Sequence, residues 1–127
     1  MGPRFRAGFT FIEILVVMIV IGVLATIAYA RLQSQKERAT LAAMTSDLKA
    51  LAEEQEAHYF QNRFYSNNLV VLNSVTSPGD TIVITEATPS GWSGRIYNPK
   101  TTKQCYIFVG QAAPVGSAVN EGVINCS

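Results

Sequence analysis

The chain has 127 residues, with 10 Lys and Arg against 9 Asp and Glu; 48% of the residues are hydrophobic and only 15% charged. That balance excludes the chain-wide basic or acidic character on which polyion binders rely, and one His with two Cys excludes a His/Cys-rich metal module. The length admits one small domain beside any segment given to a membrane.

The first element is a membrane-grade helix. Phe9 to Ala30 reads FTFIEILVVMIVIGVLATIAYA and carries a single charge, Glu13. About 20 apolar residues at roughly 1.5 Å rise each cover the hydrocarbon core of a bilayer, so the run is predicted to span as one helix. Arg4 and Arg6 precede it with no acidic residue, which by the positive-inside rule keeps the extreme N-terminus cytoplasmic and sends everything after Ala30 across the membrane. A cleaved secretory signal has a shorter apolar core ending in a small-residue site, which Ala25, Ala28 and Ala30 match only faintly. A charged side chain at the bilayer centre costs about 2.5 to 3.5 kcal/mol on insertion scales, so Glu13 calls for a function.

Gly8-Phe9-Thr10-Phe11-Ile12-Glu13, set between a short basic leader and an apolar helix, resembles the class III signal of type IV pilins and type II secretion pseudopilins. The resemblance is tight over residues 4–30, looser through the following helix and architectural after that. It implies that a prepilin peptidase removes residues 1–8 by cutting between Gly8 and Phe9, that Phe9 is then N-methylated, and that the apolar helix is kept. It also implies that Glu13 of one subunit meets the Phe9 amine of its neighbour as the subunit joins a filament. The freed amine has a pKa near 8 and is largely cationic. Unit charges about 4 Å apart attract by about 4 kcal/mol at an effective dielectric of about 20, before desolvation is subtracted. The other reading of Glu13 is local: one turn from the helix start it can reach the headgroups, complement its own helix N-terminus, or pair with its own Phe9 amine.

Beyond the membrane the helix is predicted to continue. Arg31 to Asn62 has no Pro or Gly, and Leu41, Met44, Leu48, Leu51, Gln55 and Tyr59 recur at spacings of three and four, a stripe for packing on a sheet of the same subunit. Glu53 and Glu54 are expected on the solvated side. A helix from about Thr10 to Asn62 would be roughly 80 Å long. Gly22 interrupts the apolar part and is a candidate point of flexibility or close packing. Many type IV pilins carry a proline at the position of Ala30, and its absence puts a melted stretch there in doubt.

Asn62 to Asn68 breaks the helical pattern with turn formers and the aromatics Phe64 and Tyr65. Strands are predicted at Thr81 to Thr85, after the Ser77-Pro78-Gly79-Asp80 turn, at Trp92 to Tyr97, and at Gln104 to Val109 after the Asn98-Pro99-Lys100 turn. Short turns between them predict an antiparallel meander over the helical stripe. The expected fold is therefore α+β, the pilin fold, with segments 1–8 (leader), 9–30 (membrane and filament-core helix) and 31–127 (amphipathic helix plus sheet, one small head).

Cys105 and Cys126 fall on the oxidising side of the membrane, one in the last predicted strand and one next to the C-terminus, and are expected to form a disulfide worth about 3 kcal/mol. It would pin Ala112 to Asn125, a Gly/Ala-rich segment expected to have little core of its own; in type IV pilins such a loop is surface exposed. Major type II pseudopilins generally lack it and bind calcium in a C-terminal loop, where residues 110–127 here offer Glu121 as the sole carboxylate.

No catalytic constellation, metal spacing or phosphate loop accompanies these elements, and His58 reads as a packing or surface residue. Asn125-Cys126-Ser127 is a formal but weak glycosylation match. Arg95, Lys100 and Lys103 near Trp92 and Tyr97 form a small basic, aromatic group that could bear on nucleic acid, but reads better as a lysine-guarded sheet edge. The resemblance thus implies a non-enzymatic type IV pilus subunit without cofactor or metal. It would be held singly in the inner membrane among lipid, passed to the inner-membrane assembly machinery, and built into an extracellular homo-oligomeric helical filament for adhesion, motility or DNA uptake. The alternative is a pseudopilin of a type II secretion system, and a third is a membrane-anchored domain that never polymerises.

Overall fold

A computed structural model describes residues 2 and 8–127, so the arginines of the expected leader lie outside it. The element order is α1 (Phe11–Asn62), β1 (Thr81–Ala87), β2 (Gly91–Tyr97), β3 (Gln104–Gly110) and β4 (Asn125–Cys126). The chain divides into two compact units, Met1–Lys36 and Glu37–Ser127, and α1 contributes to both.

In the first unit α1 is apolar on every side, and its large side chains from Phe11 to Leu32 are all exposed. A helix of that kind needs an apolar solvent or apolar partners. Its most hydrophobic 18-residue window has a mean hydropathy of 2.8, enough in length and composition to cross a membrane.

In the second unit the predicted stripe is the core. Met44, Leu48, Leu51 and Gln55 are fully buried on α1, against Ile82, Trp92, Ile96, Cys105 and Ile107 of the sheet. Each large apolar side chain so buried contributes about 1.5 to 3 kcal/mol. The four strands run β1-β2-β3-β4, every neighbouring pair antiparallel, which is the expected meander plus one strand. That extra strand, β4, has only two residues, too few to carry a periodicity in the sequence. Glu54 departs from expectation: Glu53 is exposed, but Glu54 is half-buried and its Oε2 is closed off from solvent.

The sheet has a second covered face. Cys105 and Ile107 point to the helix, so Tyr106 and Phe108 point away from it, and yet Phe108 is 8% exposed and its neighbour across the ladder, Ser93, 1%. The covering is the segment after β3. Ala112 and Ala118 are buried, Gly116 lies on the Tyr106 ring, and the Gly122 amide donates to the Phe108 carbonyl at 2.8 Å. Two carboxylates hold the segment by its backbone: Glu121 Oε1 accepts from the Gly110 amide at 2.7 Å and Glu86 Oε2 from the Ala113 amide at 3.1 Å. A segment expected to have little core therefore supplies a small one. Its crossing at the β2 start demands glycine, since a Cβ on Gly91 would sit 2.5 Å from the Val109 carbonyl oxygen and 2.6 Å from the Ala112 nitrogen.

The helix ends with local chemistry. Asn62 Nδ2 donates to the His58 carbonyl, and Arg63 takes a left-handed φ of 65° with its amide on Tyr59 O. Phe64 and Tyr65 fold back on the last turn, Tyr65 stacked on Tyr59 at 4.7 Å and Phe64 edge-on to His58 at 5.1 Å. His58 Nδ1 bonds the Phe64 carbonyl oxygen at 3.0 Å, so it secures this turn.

Candidate functional site

The residues singled out by the sequence gather at the start of α1. Gly8, Phe9 and Thr10 precede the first helical residue, Phe11, in exposed chain without regular structure, and Phe9 is 82% exposed. Thr10 is the N-cap. Its Oγ1 accepts from the Glu13 amide at 3.3 Å, and Glu13 Oε2 accepts from the Thr10 amide at 3.4 Å. This reciprocal pair is a capping box, satisfying two backbone donors that a helix start otherwise leaves open. Its Thr-x-x-Glu spacing is the signal in the sequence, Thr10-Phe11-Ile12-Glu13.

Glu13 in the isolated subunit thus has a local partner and complements the positive end of its helix. It is nonetheless open to others: Phe9, Glu13, Ile14, Val17 and Met18 line a shallow groove of about 280 Å³, apolar except for the carboxylate. Both hydrogen bonds are longer than the usual N–H···O range of about 2.7 to 3.2 Å.

Gly22 has open space around it: a Cβ there would meet nothing within 4 Å. Cys105 and Cys126 are directly paired across β3 and β4 and form the expected disulfide. Thr45 Oγ1, from α1, lies 3.8 Å from Cys126 Sγ, so the bridge closes against the helix. Of the basic group, Lys103 is engaged with Glu37 at 3.4 Å, while Arg95 and Lys100 are exposed. Among the described residues no three His, Cys, Asp or Glu side chains gather as metal ligands.

A long N-terminal apolar helix, a capped carboxylate in its first turn and a disulfide-closed antiparallel sheet on its second part define a membrane-anchorable subunit with the pilin fold. Residues 3–29 match the family model described as a prokaryotic N-terminal methylation motif. The chain is 32% identical over 65 residues to type II secretion system core protein G of Pseudomonas aeruginosa, covering 51% of this chain and 46% of that protein. It is 38% identical over 60 residues to core protein G of Escherichia coli, covering 47% and 41%, and 36% identical over 62 residues to that of Dickeya chrysanthemi, covering 49% and 40%. The alignments span less than half the length of these curated relatives. In its motif, its fold and the relatives it matches over about half its length, the chain is similar to the type IV pilin and type II secretion pseudopilin superfamily.

Proposed function

We propose that this chain is a non-catalytic, filament-forming subunit of the pseudopilin class, working with a type II secretion-like machine. The observation that carries the choice is the likeness to core protein G in several species. A prepilin peptidase cuts between Gly8 and Phe9, in the exposed chain just outside the helix, and Phe9 is methylated. The apolar part of α1 first anchors the subunit singly in the inner membrane. It then leaves the lipid to pack with copies of itself, so that burial of the exposed Phe11–Leu32 side chains drives assembly. Glu13 breaks its capping box to meet the incoming Phe9 amine and thereby sets the register.

A second reading is supported by a specific feature. The disulfide between Cys105 and Cys126, with the covered segment it closes, suits a subunit whose head faces the outside of the cell, as in a type IV surface pilus.

The test is the intact mass of the protein in sheared and cell-envelope fractions. Material beginning at Phe9, one methyl heavier and two hydrogens lighter, found in the envelope supports the pseudopilin; the same mass abundant in the sheared fraction transfers the chain to surface pili. An uncleaved mass overturns both. Thr10→Ala and Glu13→Ala separate the two duties of the carboxylate. Both break the capping box, at about 0.5 to 2 kcal/mol of helix stability, but Glu13→Ala alone is expected to abolish assembly while leaving processing intact. Equal loss in both variants would reduce Glu13 to a cap.

A further inference from the structure

The tight turn that feeds β1 draws two carboxyl groups to one place. Asp80 ends the turn, its amide on the Ser77 carbonyl at 3.0 Å. Asp47, from α1, is fastened to the same turn: its Oδ2 accepts from the Ser77 amide at 2.6 Å and its Oδ1 from the Ser77 hydroxyl at 3.0 Å. The two side chains lie within hydrogen-bonding reach of each other. Asp80 is 8% exposed, its Oδ1 accepts from Asn98 Nδ2, and its Oδ2 is buried with no donor facing it. Asn98 is itself 4% exposed and fixed by accepting from the Lys100 amide at 2.9 Å.

A buried carboxyl group with an orphaned oxygen beside a half-buried carboxylate is an unstable arrangement as a pair of anions. Asp47 has both oxygens supplied with donors by Ser77. Asp80 has one oxygen with nothing to accept, and a proton on that oxygen converts it into a donor to its neighbour. We propose that Asp80 and Asp47 share one proton, carried on Asp80 Oδ2, and that this carboxyl–carboxylate bond is a pH-sensitive latch tying the turn before β1 to α1.

The surrounding charges have defined signs. Burial pushes Asp80 above the ordinary carboxylate range, and contact with the Asp47 carboxylate adds to the rise; the Asn98 hydrogen bond and the Lys100 ammonium oppose it. A carboxyl whose folded pKa is raised adds stability that is complete below its unfolded pKa and is lost as pH rises through the folded one. The latch is therefore closed in acid and open at alkaline pH, when the proton leaves to solvent and two anions face each other. This holds whether or not the subunit enters a filament. The described residues offer too few free oxygens for a cation cage in its place, one orphaned atom against the six to eight oxygens that calcium takes.

The experiment is the melting midpoint of the detergent-solubilised full chain from about pH 3.5, below the ordinary aspartate value, to about pH 8, for the wild type, Asp80→Asn and Asp47→Asn. The amide of Asp80→Asn imitates the protonated acid, accepting from Asn98 and donating to Asp47. The wild type is expected to lose several degrees over that range, and Asp80→Asn to stay near the wild type's acid value throughout. Asp47→Asn, lacking the second anion, should flatten the profile as well. An Asp80→Asn profile parallel to the wild type's, or a midpoint already depressed in acid, overturns the latch. Millimolar calcium chloride that raises the wild-type midpoint at alkaline pH but leaves Asp80→Asn unmoved would overturn it in favour of a cation.

Discussion

Gln55 and Ser66 are joined twice, Gln55 Nε2 donating to the Ser66 carbonyl at 2.7 Å and the Ser66 amide donating to Gln55 Oε1 at 2.9 Å. The glutamine sits fully buried on the core stripe of α1 and treats the loop as a strand treats its neighbour, taking one donor and one acceptor from a single residue. It therefore anchors the first part of the connection from α1 to β1.

Gln55→Leu should leave the Ser66 amide and carbonyl buried without partners. Each orphaned group costs about 1 to 3 kcal/mol, so a loss of about 2 to 4 kcal/mol is expected in denaturant unfolding. Gln55→Glu removes the donor alone and sets a carboxylate against the Ser66 carbonyl; it should be no milder. A Gln55→Leu chain as stable as the wild type would show that the loop finds another hold.

Two glycines should respond oppositely to alanine. Gly116 has a φ of +55° and lies on the Tyr106 ring, where an added methyl overlaps ring atoms. Gly116→Ala is expected to cost about 1 to 3 kcal/mol from backbone strain alone, and to loosen the covering of Phe108. Gly22→Ala meets open space in a regular helix and should raise helix stability in detergent by up to about 1 kcal/mol. Circular dichroism melts of both variants check the pair.

The disulfide spans a sequence separation of 21. Cys126→Ser should lower stability by about 3 kcal/mol on the chain-entropy model. It should also expose residues 111–124 to protease while the α1–sheet core survives, because the buried side chains of that core all precede residue 111. Simultaneous cleavage throughout the second unit would mean that the covering segment and the core unfold as one.

Tyr65 should be slow to ionise. Burial, followed by its hydrogen bond to Glu56 Oε1 at 3.0 Å and the charge of that group, raises its pKa from the ordinary 10.0 to about 12. Because the folded value is the higher one, the stability this adds is intact below about pH 10 and disappears as pH rises through about 12. In an alkaline titration followed by phenolate absorbance, Tyr65→Phe should remove a late transition. Loss of an early one instead would place Tyr65 in solvent.

The α1 stripe, the three longer strands and the cysteine pair were legible because each rests on local periodicity or on plain counting. Spacings of three and four make one face of a helix whatever it later packs against, and two cysteines beyond a membrane have one pairing. The membrane character of Phe9 to Ala30 is likewise a property of composition, and Gly8, Phe9 and Glu13 form a contiguous motif. Other features needed the chain folded. Asp47 and Asp80 stand 33 positions apart and meet because a turn and a helix are fastened at Ser77. Gly116 and Tyr106 meet because the last segment crosses the back of the sheet. Residues 111–124 carry no strong pattern of their own, and their small core comes from the Phe108 and Tyr106 face that they cover. Periodicity and composition act between near neighbours and survive in the unfolded chain. Contacts across long separations exist only once loop closure has been offset by burial, and the tertiary structure alone decided those.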